Sequence, residues 1–381
     1  MKKILMVTTV PVTLKAFLLP YAENFRGLGW QIDCLSRGAT RDVECVFHFD
    51  NCYDIDWSRN PFSSLADFHR CVKKVRELAK KERYDIVHVH TPVAAFIVRY
   101  ALRNIRAALG TRVIYTAHGF HFHKEGRRFK NFIFRTAEKT AASWTDLLVV
   151  MNEEDHQAAV SFLPPERVVM MNGIGLDLEY YSKEKVSAEE ILELRNSIRL
   201  KPSDKLFSFI AEFNPGKRHA DAIKALVMAD NGHFHLAFAG TGSLMNEMKE
   251  LSGQLNVSER VHFIGFQMDV RPLIAASVAM VMPSIREGLP RSVMESMAMR
   301  TPVIGSDIKG TRDLLKDGCG ILVQADDKKT EGFAEAMIYC ADEKNVLEVD
   351  KIIELAYNKI LDYDIKILLK EHEELYEKND K

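Results

Sequence analysis

The chain has no pair of cysteines at C-x-x-C spacing. Its six cysteines, Cys34, Cys45, Cys52, Cys71, Cys319 and Cys340, are scattered. That argues against a zinc ribbon or a thioredoxin-type dithiol and leaves six reduced thiols as the expectation. No apolar run approaches the ~20 residues needed to span a bilayer. The start, MKKILMVTTVPV, has a basic pair and a short apolar run without a small-residue cleavage site. It reads as a first buried strand and not as a signal peptide. No low-complexity segment or short-period repeat is visible. Net charge is nearly absent too: 52 Lys+Arg against 53 Asp+Glu leave -1. The balance is uneven along the chain. Residues 1–172 hold 25 basic and 18 acidic side chains (+7), and the remainder holds 27 and 35 (-8). A basic half in a neutral protein points to a surface that faces anions.

What is present fits two soluble domains. The length is 381 residues, with 47% hydrophobic and 28% charged, enough for two cores. Short β-rich runs alternate with longer helical patterns. Strands are expected at Lys3–Thr9, Gln31–Leu35, Ile86–Val89, Arg112–Thr116, Leu147–Val150 and Val168–Met171. Six more are expected at Leu206–Ile210, His235–Ala239, Val261–Ile264, Val278–Met282, Val303–Gly305 and Gly320–Val323. Helical patterns include Leu65–Lys81, Val93–Ala108 and Arg128–Ala142. Such alternation predicts α/β architecture, parallel sheets with helices on both faces. Asn172-Gly173 is a turn signal, so the expected division is 1–172 and 173–363, with a charged amphipathic helix over 364–378 that could pack back on the first domain. Two doubly wound, Rossmann-like domains facing across a cleft would bind ligands beyond the carboxyl ends of their strands.

The stretch SIREGLPRSVMESMAMRTPVIGSDIKG, Ser284 to Gly310, carries the strongest chemical signal. Gly288 permits a tight turn, and Pro290 fits a first helical position. Val293, Met294, Met297 and Ala298 recur at helical spacing. Glu287 then lies in the turn and Glu295 inside the helix. The helix N-terminus between them is a ready anion site. Carboxylates suit hydroxyls and backbone N–H groups suit phosphate, so a nucleotide sugar would use the whole stretch. Two further loops follow strand patterns. FIAEFNPGKRHADAIKAL places Lys217 and Arg218 where a departing diphosphate would need cations. AFAGTGSLMNEMKEL places Gly240 and Gly242 where backbone would approach a phosphate closely. His118, in VIYTAHGFHFHKEGRR, follows an apolar strand and should face a cleft.

These motifs together resemble the family 4 retaining glycosyltransferases, with their glutamate-seven-glutamate motif and GT-B fold. The likeness runs over nearly the whole chain. It is strongest to the bacterial capsule and exopolysaccharide subgroup, close to the Bacillus biofilm exopolysaccharide glycosyltransferases. The resemblance implies that Glu287 contacts the donor sugar and Glu295 the ribose. Backbone at Gly288, Leu289 and Pro290 would meet the diphosphate. Phe266, after the strand in VHFIGFQMDV, would flank the base, although a core aromatic is an equal reading. His118 matches the family's active-site histidine, so His118, Lys217 and Glu287 are the expected catalytic residues. Where the family usually has an arginine two residues after the strand, this chain has Glu212. Arg218 could supply the missing charge.

The function implied is transfer of a sugar, N-acetylhexosamine from a UDP-sugar, to a polyprenyl-diphosphate-linked or growing saccharide, with retention of configuration. No metal and no cofactor is expected. Arg99, Arg103 and Arg106, at steps of four and three, would share a helix face. Arg127 and Arg128, with Lys124 and Lys130, interleave with Phe129, Phe132 and Phe134. Both clusters suit an acceptor diphosphate or an anionic membrane surface, and hence a cytoplasmic protein peripheral at the inner face of the cell membrane. Nucleic acid is not expected as a partner. Asp54 and Asp56 in CYDIDW look like a metal-binding pair but are expected to be loop or acceptor-side residues, with Arg59 nearby. Three rival readings stay open. One is a metal-dependent hydrolase using His88, His90, His118, His121 and His123. Another is a non-catalytic nucleotide-sugar sensor. The third is an epimerase on the same fold.

Overall fold

In the computed structural model of the chain, residues 1–57, 65–122, 128–229, 232–326 and 329–378 are described. The chain divides into two compact units. One comprises Met1–Ile174 with the segment from Lys366 onward, and the other Gly175–Ile365.

The first unit is built on seven strands: β1 (Lys3–Val7), β2 (Gln31–Ser36), β3 (Asn51–Asp54), β4 (Ile86–Val89), β5 (Arg112–Ala117), β6 (Leu147–Val150) and β7 (Val168–Met170). They pair in parallel in the order β3-β2-β1-β4-β5-β6-β7. The central strands are buried on both faces and are accordingly apolar. The exception is β3, which is polar and lies at the sheet edge. Its sequence, NCYD, lacks an apolar run, so no strand was expected there. Asp54 ends it by accepting from the Thr40 N–H and hydroxyl. Asp56 pairs with Arg37 at an exposed position, and Arg59 lies outside the described residues.

The second unit has six strands: β8 (Lys205–Ile210), β9 (Phe234–Ala239), β10 (Val261–Gly265), β11 (Ala279–Met282), β12 (Val303–Ser306) and β13 (Ile321–Val323). They pair in parallel in the order β10-β9-β8-β11-β12-β13. On one face, Phe207, Phe209 and Phe238 pack against Ile223 and Leu226 of the helix His219–Met228. On the other, Met280 and Met282 pack against Val293 and Met297 of the helix Arg291–Ala298. At ~1.5–3 kcal/mol for each large apolar side chain buried, these two layers fix where the helix N-termini fall.

In each sheet the chain reverses direction once, between β1 and β4 in the first and between β8 and β11 in the second. Doubly wound sheets open a crevice at such a point, beyond the strands' carboxyl ends. The helix Ile365–Glu377 buries Leu368, His372, Leu375 and Tyr376. The Tyr376 ring lies 5.0 Å from Phe25, and His372 lies 4.6 Å from Tyr21. The C-terminal helix thus completes the core of the first unit. All six cysteines carry free thiols.

Candidate active site

In the second unit, four loops meet at the carboxyl ends of β8, β9, β10 and β11, and backbone hydrogen bonds stitch them together. Phe213 N–H donates to Thr241 O at 2.9 Å, Gly240 N–H to Gly265 O at 2.8 Å, and Ile285 N–H to Gly216 O at 3.0 Å. Gly240 has φ +150, and a Cβ there would fall 2.0 Å from Ala211 O. Only glycine lets these two loops approach so closely. The loops after β8, β9 and β10 form a pocket of about 440 Å³ lined by Ala211, Glu212, Gly240, Gly242, Phe266 and Gln267, among others. Phe266 is 69% exposed. It is not a core aromatic; it lines the pocket as an exposed side chain.

Lys217 and Glu287 come from the loops after β8 and β11, the two strands that flank the reversal. Lys217 Nζ lies 2.7 Å from Glu287 Oε1. Glu287 is only 9% exposed, so the pair is a charge-assisted hydrogen bond in a largely dry setting. Glu287 is followed by Gly288 and Leu289, whose side chain packs on the methionine-rich core layer. Pro290 is the cap residue of the helix Arg291–Ala298, not its first turn. Its carbonyl accepts from Val293 and Met294. The shift by one residue reflects its ψ of 114°, which is extended while φ is already helical. No side chain caps this helix, which leaves its N-terminal dipole toward the loop. Gly310, from the loop after β12, backs the turn. At φ +75 its Cβ would sit 2.0 Å from Gly288 O.

Glu295 is buried in the second turn of that helix, and Arg291 Nε donates to its Oε1 at 3.0 Å. Arg218 takes a different part from the one expected. Its φ is +59, and its guanidinium donates twice to Asp221, at 2.8 and 2.9 Å. Lys329 reaches the same carboxylate at 2.7 Å. Burial pushes the Asp221 carboxyl up, but Arg218 and Lys329 together hold it below its ordinary range. Arg218 therefore anchors the start of the helix His219–Met228, and its charge is already compensated. Lys217, one residue earlier, is the cation that meets Glu287.

In the first unit, His118 follows β5. Its ring packs 5.5 Å from Phe17 and 5.5 Å from His90. Its Nε2 is buried without a partner among the described residues. Burial, with a smaller push from His372, brings its pKa down to about 4, so the imidazole is neutral. His88 bonds Tyr376 Oη through Nδ1 at 2.5 Å and Thr116 Oγ1 through Nε2 at 2.7 Å. Both of its nitrogens are engaged within the core. His121 is exposed against Phe134, and His123 lies outside the described residues. Among the described residues, no group of three His, Cys, Asp or Glu side chains is arranged to hold a metal. The His-x-His pattern of His88 and His90 instead builds the core beneath His118.

The arginine stripe over Val93–Ala108 does not form. The helix runs Pro92–Leu102 and a second, short one Arg106–Leu109. The break turns the three arginines apart. Arg99 is 1% exposed, pairs with Glu138 at 2.9 Å and lies 4.3 Å over the Tyr115 ring. Arg103 folds onto Tyr100, and Arg106 pairs with Asp146. Arg99 is thus a core residue and presents nothing to a membrane or acceptor. Arg127 lies outside the described residues. Arg128, Phe129, Lys130 and Phe132 are exposed on the helix Arg128–Ala142. Two members of the second-unit site gave no sequence motif, Asp221 and Lys329 behind Arg218. Arg291 was readable, because it stands four residues before Glu295.

Comparison with known proteins bears on this geometry. Residues 18–178 match the model of Glycosyltransferase Family 4, and residues 190–358 that of Glycosyl transferases group 1. The putative glycosyltransferase EpsD of Bacillus subtilis is 36% identical over 333 residues, covering 86% of this chain and 84% of that protein. The UDP-Gal:alpha-D-GlcNAc-diphosphoundecaprenol alpha-1,3-galactosyltransferase of Escherichia coli is 27% identical over 292 residues, 74% of this chain and 72% of that one. Among solved structures, Anabaena HepE in complex with UDP and glucose superposes with a TM-score of 0.80 at 18% identity, covering 98% of this chain and 99% of that one.

Proposed function

The chain belongs to the family 4 glycosyltransferases, with the two Rossmann-like α/β units of the GT-B fold, and on that premise we propose that it carries an N-acetylhexosamine from a UDP-sugar to a polyprenyl-diphosphate-linked or growing saccharide, with retention of configuration. Its likeness to the putative glycosyltransferase EpsD supports sugar transfer, which we place in exopolysaccharide synthesis. The Escherichia coli relative, named for a diphosphoundecaprenol-linked acceptor, supports a lipid-linked acceptor here. A UDP and glucose complex of a fold neighbour supports UDP as the donor nucleotide.

One observation carries the reading. The Lys217–Glu287 pair joins the two loops at the reversal of the second sheet, and the Gly240–Gly242–Phe266 pocket opens beyond β8, β9 and β10 of the same sheet. In the proposed reaction the acceptor hydroxyl attacks the anomeric carbon on the face that the diphosphate leaves. The bond from that carbon to the phosphate oxygen breaks, and the acceptor proton passes to the departing phosphate. Charge grows on the diphosphate. Lys217 and the N-terminus of the helix Arg291–Ala298 stabilise it without a metal. Glu287 holds the sugar hydroxyls and Glu295 the ribose. Phe266 stacks on the base, and His118 offers the reacting sugar a neutral imidazole.

No helix among the described residues is long and apolar enough to cross a membrane. The exposed Arg128, Phe129, Lys130 and Phe132 instead provide cations and aromatic rings for reversible docking at an anionic surface, at ~1 kcal/mol per cation. The test of the reaction is a transfer assay in chelator with UDP-N-acetylglucosamine and UDP-N-acetylgalactosamine on a polyprenyl-diphosphate-linked sugar. The anomeric configuration of the product is read by NMR. Retention is expected, and an inverted product contradicts the mechanism.

A further inference from the structure

A nucleotide diphosphate would enter a pocket in which a single lining side chain carries a charge, and that charge is negative. The residue is Glu212, which follows β8 by two positions. It stands at the closest approach of two loops: a Cβ on Gly240 would fall 3.6 Å from the Glu212 nitrogen. This is where backbone would come nearest to a phosphate.

The carboxylate is held in place. Asn214 Oδ1 accepts from Gly216 N–H at 3.0 Å. A backbone N–H only donates, which fixes the way the Asn214 amide points. Its Nδ2 then donates to Glu212 Oε2 at 3.1 Å. The nearby cations are committed elsewhere, Lys217 to Glu287, and Arg218 with Lys329 to Asp221. Among the described residues, Glu212 has no cation as partner. It is exposed, so water screens its charge. A nucleotide seated in the pocket would displace part of that water and strengthen the interaction between the charges that remain.

A carboxylate beside a diphosphate opposes its binding, and not equally for every ligand. In a UDP-sugar the terminal phosphate is esterified. In released UDP it is free, with a second ionisation near pH ~6. At pH ~7.5 the product therefore carries about one more negative charge than the donor, and Glu212 repels it more. Lys217 and the N-terminus of the helix Arg291–Ala298 offset the cost during the reaction itself.

We propose that Glu212 is a specificity-determining residue that makes the pocket favour UDP-sugar over UDP, so that the spent nucleotide does not hold the site. The inference rests on the reading of this pocket as a UDP-sugar site.

The experiment is calorimetric binding of uridine, UDP and UDP-N-acetylglucosamine in chelator at pH ~7.5, where the extra charge is present, to wild type, Glu212→Gln and Glu212→Asp. Glu212→Gln keeps the shape and removes the charge. It should bind UDP on the order of tenfold more tightly than wild type, the effect of losing one unit charge ~6 Å from the diphosphate in a half-solvated cleft. UDP-N-acetylglucosamine should tighten less and uridine not at all. The gain should shrink as salt rises. Glu212→Asp keeps the charge and should keep the wild-type ratio of UDP to UDP-N-acetylglucosamine affinity. A role in packing alone would shift uridine as much as UDP and would overturn the proposal. Unchanged or weaker UDP binding by Glu212→Gln would refute the repulsion, and equal tightening of UDP and UDP-N-acetylglucosamine would refute the discrimination. A repeat with magnesium covers the other use of a carboxylate beside a diphosphate. If magnesium tightens UDP on wild type and not on Glu212→Gln, Glu212 holds a cation and the proposal is wrong. If no uridine compound binds wild type with or without magnesium, the reading of the pocket as a UDP-sugar site has itself failed, and the inference falls with it.

Discussion

Replacing His372 with phenylalanine is expected to make the first unit more resistant to acid. His372 is 4% exposed. Its ring lies 4.6 Å from Tyr21, 6.1 Å from Tyr376 and 6.2 Å from His88. Nδ1 meets the Leu368 carbonyl at 2.9 Å, and a carbonyl only accepts, so Nδ1 carries the proton of a neutral ring. Burial brings its pKa down to about 4 from an ordinary 6.5, partly opposed by that hydrogen bond. Because the folded value is depressed, the unfolded chain binds more protons below pH 6.5. The stability from a neutral His372 is present above 6.5 and is lost as pH falls toward 4. Between pH 7.5 and 5.5 the loss is about 1.4 kcal/mol for this residue alone. His88 and His90 are lowered by burial and add losses of the same sign. Phenylalanine keeps the ring contacts and removes the titration. All three tryptophans, Trp30, Trp57 and Trp144, lie in the first unit, so their fluorescence reports its unfolding. Urea melts of both proteins at pH 7.5 and 5.5 should show the variant losing about 1.4 kcal/mol less than wild type. Equal losses would refute the assignment of a buried, neutral His372.

Other outcomes follow from the same contacts. Lys217→Ala should lower kcat about a hundredfold or more, with a smaller change in donor KM, because the lysine acts on charge that develops during departure; steady-state kinetics with saturating acceptor would show it. Gly240→Ala should abolish UDP binding while the first unit melts normally, since its Cβ would fall 2.0 Å from Ala211 O; calorimetry with UDP checks this. Glu138→Gln should destabilise the first unit by about 3–5 kcal/mol by leaving Arg99 buried and unpaired, with no effect on vesicle binding. Arg128→Glu combined with Phe129→Ser should do the reverse, weakening sedimentation with anionic vesicles and sparing stability.

The second-unit site was more legible in the sequence than its supports. All twelve runs read as strands became strands within one or two residues of the expected bounds, because a parallel sheet covered on both faces favours short apolar runs between helices. Glu287 and Lys217 were found as loop residues after strands, a local pattern. Their mutual contact was not legible, since it depends on which strands become neighbours at the reversal of the sheet. β3 went unseen because an edge strand can be polar. The arginine stripe failed for a related reason. A spacing of four and three describes a face only while the helix continues, and this one breaks after Leu102. Nor did the spacing show that Glu138 would draw Arg99 into the core. The histidines offered a plausible ligand pattern, but His372 and Tyr376 arrive from the far end of the chain and take up that space.

The most direct test of the central claim is equilibrium binding of UDP-, GDP- and ADP-sugars in chelator to wild type, Glu287→Ala and Glu295→Ala. The account predicts that a UDP-sugar binds wild type and that both substitutions weaken it, Glu287→Ala through the sugar and Glu295→Ala through the nucleotide. Binding that is indifferent to both glutamates, or that requires a metal, would contradict it.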